Sequence, residues 1–164
     1  MKTINIKNNI EGIMRSLYLT LTVAIFAAST AFSDGISPGN VVYTDGAVIE
    51  ALTAQAGDPS NGRKIFMNRK QGNCLACHVN TDMSDQLFHG EVGPALDGVA
   101  ARWEEHELRG IIVNSKIMFE GTIMPAFYKD SGFERNLKKF QGKTILNAQQ
   151  VEDVVAYLLT LKEN

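Results

Sequence analysis

A short run in the middle of the sequence brings together the side chains best suited to chemistry. It reads Cys74-Leu75-Ala76-Cys77-His78, and its two cysteines are the only ones in the sequence. Two thiols spaced in this way can add to the two vinyl groups of a porphyrin, and the imidazole of the next residue then lies under the iron; C-x-x-C-H is the attachment pattern of haem c. The sequence therefore predicts one covalent haem c, held by Cys74 and Cys77, with His78 as an iron ligand.

Two other chemistries fit part of this run. A redox-active dithiol needs only C-x-x-C, usually at the start of a helix in a βαβ unit, and the sequence shows no alternating strand pattern. A structural zinc site needs four ligands, and the two cysteines with the scattered His78, His89 and His106 make a poor set. Haem attachment uses every residue of the pattern, so we favour it and treat His89 and His106 as non-ligands.

The iron needs a second axial ligand, and the sequence offers several. The candidates are Met67, Met83, Met118, Met124, His89 and His106. We favour Met124, because Pro125 fixes the backbone beside its sulfur in a Thr-Ile-Met-Pro loop; Met118 is the nearest competitor, and simple loop packing is the plain alternative. Ligation by His78 and Met124 would raise the reduction potential and make the haem an electron acceptor.

Neighbouring residues are candidates for supporting the haem. A ligating histidine normally donates its second ring N–H to a carbonyl or carboxylate, which fixes the tautomer, and we expect the Pro94 carbonyl to accept from His78. Arg102 and Trp103 can reach the haem propionates, although a solvated arginine and a core tryptophan explain them equally well. With both thiols used for attachment, no residue is predicted to be a catalytic nucleophile.

The elements that must position these residues are helices and loops. Helical periodicity and helix-start signals predict helices at 58–69, 103–114 and 147–162, with shorter helical pieces at 48–55 and 133–140. Gly62 and Phe66 of the first helix are expected to meet Tyr157 of the last, since a glycine allows two backbones to approach closely. The prediction is an all-α fold whose long loops, at 90–98 and 115–146, wrap around a large central cofactor.

The first 33 residues have the pattern of an export signal. Basic residues precede an apolar run at 17–28, and small residues follow it, as in a cleaved secretory signal. The run is shorter than the roughly 20 residues that span a bilayer, so an uncleaved anchor is the less favoured alternative; Met14 is an alternative start. We predict a signal peptide at 1–33, an irregular N-terminal arm at 34–57 and the haem domain at 58–164, with no membrane anchor after cleavage.

Charge excludes one class of partner. The formal net charge of the whole sequence is −2, and the sequence contains no stripe or run of basic residues. Nucleic-acid binding is therefore not expected. A mildly acidic exported domain is expected to meet small molecules or other proteins.

Several short sequence blocks, in and around residues 74–78 (which we call the haem motif), together resemble a known family. They are Gly57-Asp58-Pro59, Gly62-Arg63-Lys64-Ile65-Phe66, Gly72-Asn73-Cys74-Leu75-Ala76-Cys77-His78, Phe88-His89-Gly90-Glu91-Val92-Gly93-Pro94, Thr122-Ile123-Met124-Pro125-Ala126-Phe127-Tyr128, Lys139-Phe140-Gln141-Gly142-Lys143 and Val151-Glu152-Asp153-Val154-Val155-Ala156-Tyr157-Leu158. C-x-x-C-H alone marks any cytochrome c, whereas these blocks together, over residues 40–162, resemble the SoxX family. The resemblance implies a cytochrome c-like fold, with helices and long loops around one covalent haem.

The resemblance also implies a function. SoxX is the mono-haem subunit of the periplasmic SoxAX complex of sulfur oxidation, paired with a SoxA-type cytochrome that holds its own haem and the catalytic cysteine ligand. The complex, an L-cysteine S-thiosulfotransferase, couples thiosulfate oxidatively to a cysteine of a SoxY-type carrier. By resemblance, this chain would relay the two released electrons to a soluble cytochrome c, while the bond-making chemistry lies on the partner.

Two other functions stay open. A free-standing mono-haem cytochrome c would shuttle electrons without a dedicated partner; the length of the N-terminal arm argues mildly against it, since such an arm suits gripping a partner. The second is an enzyme with an open haem site that binds a small ligand, and a six-coordinate spectrum would count against it.

Overall fold

The computed structural model describes residues 35–162, so the predicted signal peptide and the alternative start lie outside the described residues. The helices are α1 (Pro59–Met67), α2 (Val99–Arg102), α3 (Glu105–Met118) and α4 (Ala148–Leu158), and 3-10 turns lie at Pro38–Asn40, Cys74–Ala76, Thr81–Met83 and Lys138–Phe140. This part of the chain contains no β-strand, only an isolated bridge between Thr44 and Ala47. Nor does it contain a helix long and apolar enough to cross a bilayer. The all-α prediction is confirmed.

Helix α1 begins where the sequence predicted. The Asp58 carboxylate accepts a 2.8 Å hydrogen bond from the Ser60 N–H, and Pro59 occupies the first turn, where its missing N–H costs nothing. The helix ends at Met67, earlier than predicted, because Asn68 is already extended (φ −74°, ψ 113°). The short helix therefore leads into a separate loop before the cysteines.

Helix α4 has both of its predicted start signals. Asn147 and Gln150 form a capping box: each side chain accepts from the other residue's backbone N–H, at 2.8 and 2.9 Å. This arrangement satisfies two N–H groups that a helix start otherwise leaves free. The periodic Val151, Val154 and Leu158 are buried, as expected for an amphipathic helix. The helix ends at Leu158 rather than at the predicted residue 162.

The first and last helices pack in direct contact. A Cβ at Gly62 would collide with the carbonyl oxygen of Asp153 and would lie 2.8 Å from Cβ of Tyr157, so only glycine allows this approach. The Phe66 ring meets the Tyr157 ring edge-on, with centroids 5.5 Å apart and planes at 67°. The predicted meeting of Gly62 and Phe66 with Tyr157 is confirmed.

Helix α3 is longer than predicted and is broken near its end. Glu104 donates its backbone N–H to the Glu107 carboxylate at 2.8 Å, which caps the start. At Asn114 the backbone leaves the helical region (φ −157°, ψ 86°), and one further turn follows to Met118. The predicted end at residue 114 therefore coincides with the break, and the extra turn was not predicted.

Two other local predictions were wrong, and one short helix was missed. Helix α2 was not predicted, and the piece expected at 133–140 is helical only at Lys138–Phe140. The expected turn at 48–55 is irregular, because its N–H groups bond to other segments: Val48 donates to the His106 carbonyl at 2.9 Å and Leu52 to the Glu152 carboxylate at 2.7 Å.

The N-terminal arm is irregular, as predicted, and it is also part of the core. Val48 and Leu52 are 2% and 1% exposed. Beneath them, the buried Arg109 guanidinium donates to Glu152 at 2.9 Å and to the Val48 carbonyl at 2.9 Å. A buried ion pair is stable only when its other hydrogen-bonding groups are satisfied, and here the backbone at Val48 and Leu52 satisfies them. The arm is thus fastened to α3 and α4.

Candidate functional site

The haem motif forms one tight turn. Asn73 adopts a left-handed conformation (φ 51°), which asparagine tolerates better than most residues, and the 3-10 turn Cys74–Ala76 follows. The N–H groups of Cys77 and His78 both donate to the Cys74 carbonyl at 3.0 Å. This turn brings the two thiols and the imidazole onto one short stretch of backbone, and the two cysteines are not joined in a disulfide.

The environment of Cys74 does not suit a redox dithiol. Burial raises the pKa of the Cys74 thiol to about 12, whereas reactive cysteines of such motifs have a lowered pKa that yields the thiolate. Zinc fits no better, because residues 35–162 contain no cluster of three or more His, Cys, Asp or Glu side chains suited to a metal ion. Two unbridged cysteines, the second followed directly by a histidine, do fit haem c, whose vinyl groups and iron need that donor set.

The His78 ring has a fixed orientation. Its Nδ1 lies 2.8 Å from the Pro94 carbonyl oxygen, the pair that the sequence predicted. Because a carbonyl only accepts, Nδ1 is the donor of this pair; in the neutral imidazole Nε2 is then the nitrogen that can bind a metal. The Gly93 N–H also donates to the Cys77 carbonyl at 2.8 Å. We call residues 90–98 the His78 loop.

Two glycines of the His78 loop have a role that sequence reasoning missed. A Cβ at Gly93 would collide with the imidazole of His78, and one at Gly90 would collide with the carbonyl oxygen of Ala76. The loop therefore lies flat against the haem motif only because both positions lack a side chain. Their sequence signal is slight: two glycines shortly after the motif, the second followed by Pro94, resemble any turn.

The other two histidines, His89 and His106, have surroundings that differ from those of His78. His89 accepts at Nδ1 from the Asn80 N–H at 3.3 Å, and its Nε2 lies 3.1 Å from the Met83 carbonyl oxygen. Both ring nitrogens are thus in use inside a loop. His106 is half-buried on α3, and its carbonyl accepts from the Val48 N–H of the arm.

The structure separates the methionine candidates by their surroundings. Met83 is fully buried in the core, and Met67 lies on α1 against the same core. Met118 packs on the arm: a Cβ at Gly46 would lie 3.0 Å from the Met118 Cβ and 3.3 Å from its Cε. Met124 is half-buried in a loop and packs against the edge of the core.

The segment around Met124 is joined to α3 by backbone hydrogen bonds. The N–H of Phe127 donates to the Ile112 carbonyl at 3.2 Å, and the N–H of Tyr128 donates to the Val113 carbonyl at 3.1 Å. Phe127 and Tyr128 are themselves buried, so this end of the segment belongs to the core. We call residues 122–128 the Met124 loop.

Comparisons with known proteins agree with the haem motif and the helical fold. A family model for cytochrome c matches residues 59–162. A chain in a solved structure described as the crystal structure of SoxXA from P. pantotrophus is 49% identical to this one, with a TM-score of 0.74; the match covers 79% of this chain and 99% of that chain. The chain belongs to the SoxX family of cytochromes c. No match was found among curated proteins.

Membership of the SoxX family confirms the predicted cofactor and fold. As a cytochrome c of this family, the chain binds haem c covalently and has a role in electron transfer. The helices and loops of residues 35–162 are a cytochrome c fold extended by the N-terminal arm.

Arg102 and Trp103, suggested as propionate contacts, have partners within this SoxX-family chain. The Arg102 guanidinium donates to the carbonyls of Asp97 at 2.7 Å and Ala95 at 2.9 Å. It therefore braces the His78 loop from outside. The Trp103 ring meets Phe119 edge-on, with centroids 5.8 Å apart. Contact of either residue with a propionate stays a prediction.

Proposed function

We propose that the chain is the electron-relay subunit of a SoxAX-type complex in the periplasm. The complex would couple thiosulfate to a cysteine of a SoxY-type carrier, and this chain would pass the electrons to a soluble cytochrome c. The observation that carries the proposal is the 49% identity to a chain of a SoxXA structure over 99% of that chain. Identity of this degree along a whole subunit supports a shared partner, a SoxA-type cytochrome, as well as a shared fold.

The residues of the site have distinct proposed roles. Cys74 and Cys77 would attach the haem through thioether bonds, and His78 Nε2 and the Met124 sulfur would ligate its iron. Bound in this way, a haem takes up and releases one electron at a time. The Pro94 carbonyl, 2.8 Å from Nδ1 of His78, holds the imidazole in the tautomer that ligation requires.

The balance of the reaction supports a relay rather than a catalytic role. Joining a carrier thiolate to the terminal sulfur of thiosulfate forms one S–S bond and releases two electrons. A group that activates sulfur in this reaction would be a thiol, and both thiols of this sequence lie in the haem motif. The sulfur chemistry is therefore assigned to the partner subunit, and two single-electron transfers carry the electrons away through this chain.

A free-standing electron shuttle is the second candidate function, and one observation favours keeping it. The arm was expected to suit gripping a partner, yet its Val48 and Leu52 are buried against the chain's own α3 and α4. The arm therefore does not distinguish a subunit from a shuttle.

Affinity purification from the native host distinguishes these two functions. The tagged holoprotein is expected to co-purify with a larger haem-containing chain in equal amounts, identified by mass and by haem staining. A tagged mono-haem cytochrome c of another family is the matched control and is expected to bring down no such chain. Recovery of the tagged holoprotein as a monomer, under conditions in which known complexes of the host stay intact, would favour the shuttle.

A further inference from the structure

The end of α3 is shaped to meet the Met124 loop. At Asn114 the helical backbone is interrupted, and the two carbonyls just before the break, those of Ile112 and Val113, accept N–H groups of the loop. The Asn114 side chain lies 3.4 Å from the N–H of Lys116 and so bridges the break. The last turn of α3 is thereby set off from the rest of the helix, beside the loop.

Two side chains of that last turn converge on the carbonyl of Met124. The Ser115 hydroxyl donates to it at 3.1 Å, and Ser115 is fully buried. The Lys116 ammonium donates to the same carbonyl at 2.9 Å and to the Thr122 carbonyl at 2.8 Å. On the other side, the Met124 N–H donates to the Thr122 hydroxyl at 3.2 Å. The peptide groups on both sides of the Met124 side chain are therefore hydrogen-bonded.

We infer that Ser115 and Lys116 are positioning residues that hold the Met124 sulfur in place for the iron. The inference rests on the proposed role of Met124 as axial ligand. A methionine side chain has three rotatable bonds and adapts easily, so a fixed backbone is what limits the volume that its sulfur explores. When the loop is already fixed, less conformational entropy is lost as the sulfur binds the iron. The Met–iron bond therefore opens less often.

The oxidised protein is where this effect is measured best. A thioether is a soft ligand that favours reduced iron, so its bond to ferric iron is the weaker of the two and depends more on positioning. Added imidazole competes for the sixth position only after the sulfur has left. The rate of replacement in the ferric holoprotein therefore reports how firmly the Met124 loop is held.

Four variants of the holoprotein test the inference. Ser115→Ala removes the buried hydroxyl, Lys116→Met keeps the aliphatic stem and removes the ammonium, and the double variant combines them. Lys116→Arg is the conservative variant, since guanidinium also donates to carbonyls. Lys129→Met is the matched control, because Lys129 lies 5.1 Å from the Phe133 ring centroid and has no hydrogen bond to the Met124 loop in the described structure.

We expect imidazole to replace the sulfur ligand about 25-fold faster in the double variant, and roughly fivefold faster in each single variant, given about 1 kcal/mol for each hydrogen bond to the Met124 carbonyl that is lost. The weak absorbance of sulfur-ligated ferric iron and the reduction potential should fall in the same order. Lys116→Arg should recover the original rate to within about twofold, and Lys129→Met should leave it unchanged. A purely structural role would lower thermal stability without this pattern.

Two results would overturn the inference, and they are distinguishable. If Met124→Ala abolishes the sulfur absorbance but the double variant exchanges at the original rate, Met124 is the ligand and Ser115 and Lys116 do not position it. If Met124→Ala keeps the absorbance, the ligand assignment itself is wrong and the positioning inference fails with it. Haem content and helical circular dichroism, measured on each variant, identify any variant that has failed to fold.

Discussion

The loop that contacts His78 and the loop that carries the proposed ligand Met124 are held in different ways. The His78 loop is joined to the haem motif itself by backbone hydrogen bonds. It also packs closely on the motif at Gly90 and Gly93, where a side chain would collide. The Met124 loop is held by a different element, the broken end of α3, partly through the side chains of Ser115 and Lys116. The histidine side is thus built from neighbouring sequence, and the methionine side from tertiary packing. We expect the first to be rigid in any folded state and the second to be the adjustable side.

The largest effect is expected from removing the attachment on the histidine side. The holoprotein should show the mass of one added haem after denaturation, and the Cys74→Ala, Cys77→Ala double variant should lose that mass, because no other thiol exists to form a thioether. Mass spectrometry under denaturing conditions measures this directly. A native protein whose two thiols both react with a thiol reagent would refute covalent attachment.

The next largest effect is expected on the methionine side. Met124→Ala should abolish the sulfur-ligation absorbance of the ferric protein and lower the reduction potential, since the thioether is what favours reduced iron. Met118→Ala is the matched control, and it should leave both unchanged because Met118 packs on Gly46 of the arm. The opposite pattern, with the absorbance lost only in Met118→Ala, would make Met118 the ligand.

A smaller effect is expected from adding one methyl group on the histidine side. Gly93→Ala places a Cβ against the His78 imidazole and should lower the free energy of unfolding by about 1–3 kcal/mol, the usual cost of overpacking. It should also shift the spectrum of the ligated haem. Gly39→Ala is the control, because no atom lies within 4 Å of a Cβ there. Equal stability of the two variants in chemical denaturation would mean that the His78 loop is not the rigid side.

The smallest effect is expected from the outer brace of the His78 loop. Arg102→Met removes two hydrogen bonds to loop carbonyls and should cost about 1 kcal/mol, since Arg102 is exposed and water replaces part of what is lost. Hydrogen exchange of the amides at 95–98 should quicken in this variant. Arg135→Met, at another exposed arginine, should leave those amides unaffected. Unchanged exchange in Arg102→Met would show that backbone contacts alone hold the loop.

The same contrast explains which parts of the molecule could be predicted from the sequence. The starts of α1 and α4 were predictable because their capping residues act on N–H groups two or three positions away. The haem motif was predictable for the same reason, since its three functional residues lie within one turn. Pro94 could be named as the partner of His78 because a backbone carbonyl is a common acceptor for the second ring N–H of a ligating histidine.

The features that escaped prediction on the methionine side depend on distant segments. The break at Asn114 lies where the N–H groups of Phe127 and Tyr128 bond to the carbonyls just before it; the sequence indicated a helix end there but not the turn that follows. Ser115 and Lys116 read as an ordinary helix end, where lysine is favoured by the helix dipole. Their role is visible only when the Met124 loop is seen beside them.

The central claim is that this chain relays electrons and leaves the sulfur chemistry to a partner. It is tested most directly by mixing the oxidised holoprotein with thiosulfate and a SoxY-type carrier, with and without the SoxA-type cytochrome, and following reduction of the haem by absorbance. Reduction should occur in the complete mixture and should be absent when the SoxA-type subunit is left out, because this chain has no thiol outside the haem motif. Reduction at an equal rate without that subunit would contradict the claim and assign the sulfur chemistry to this chain.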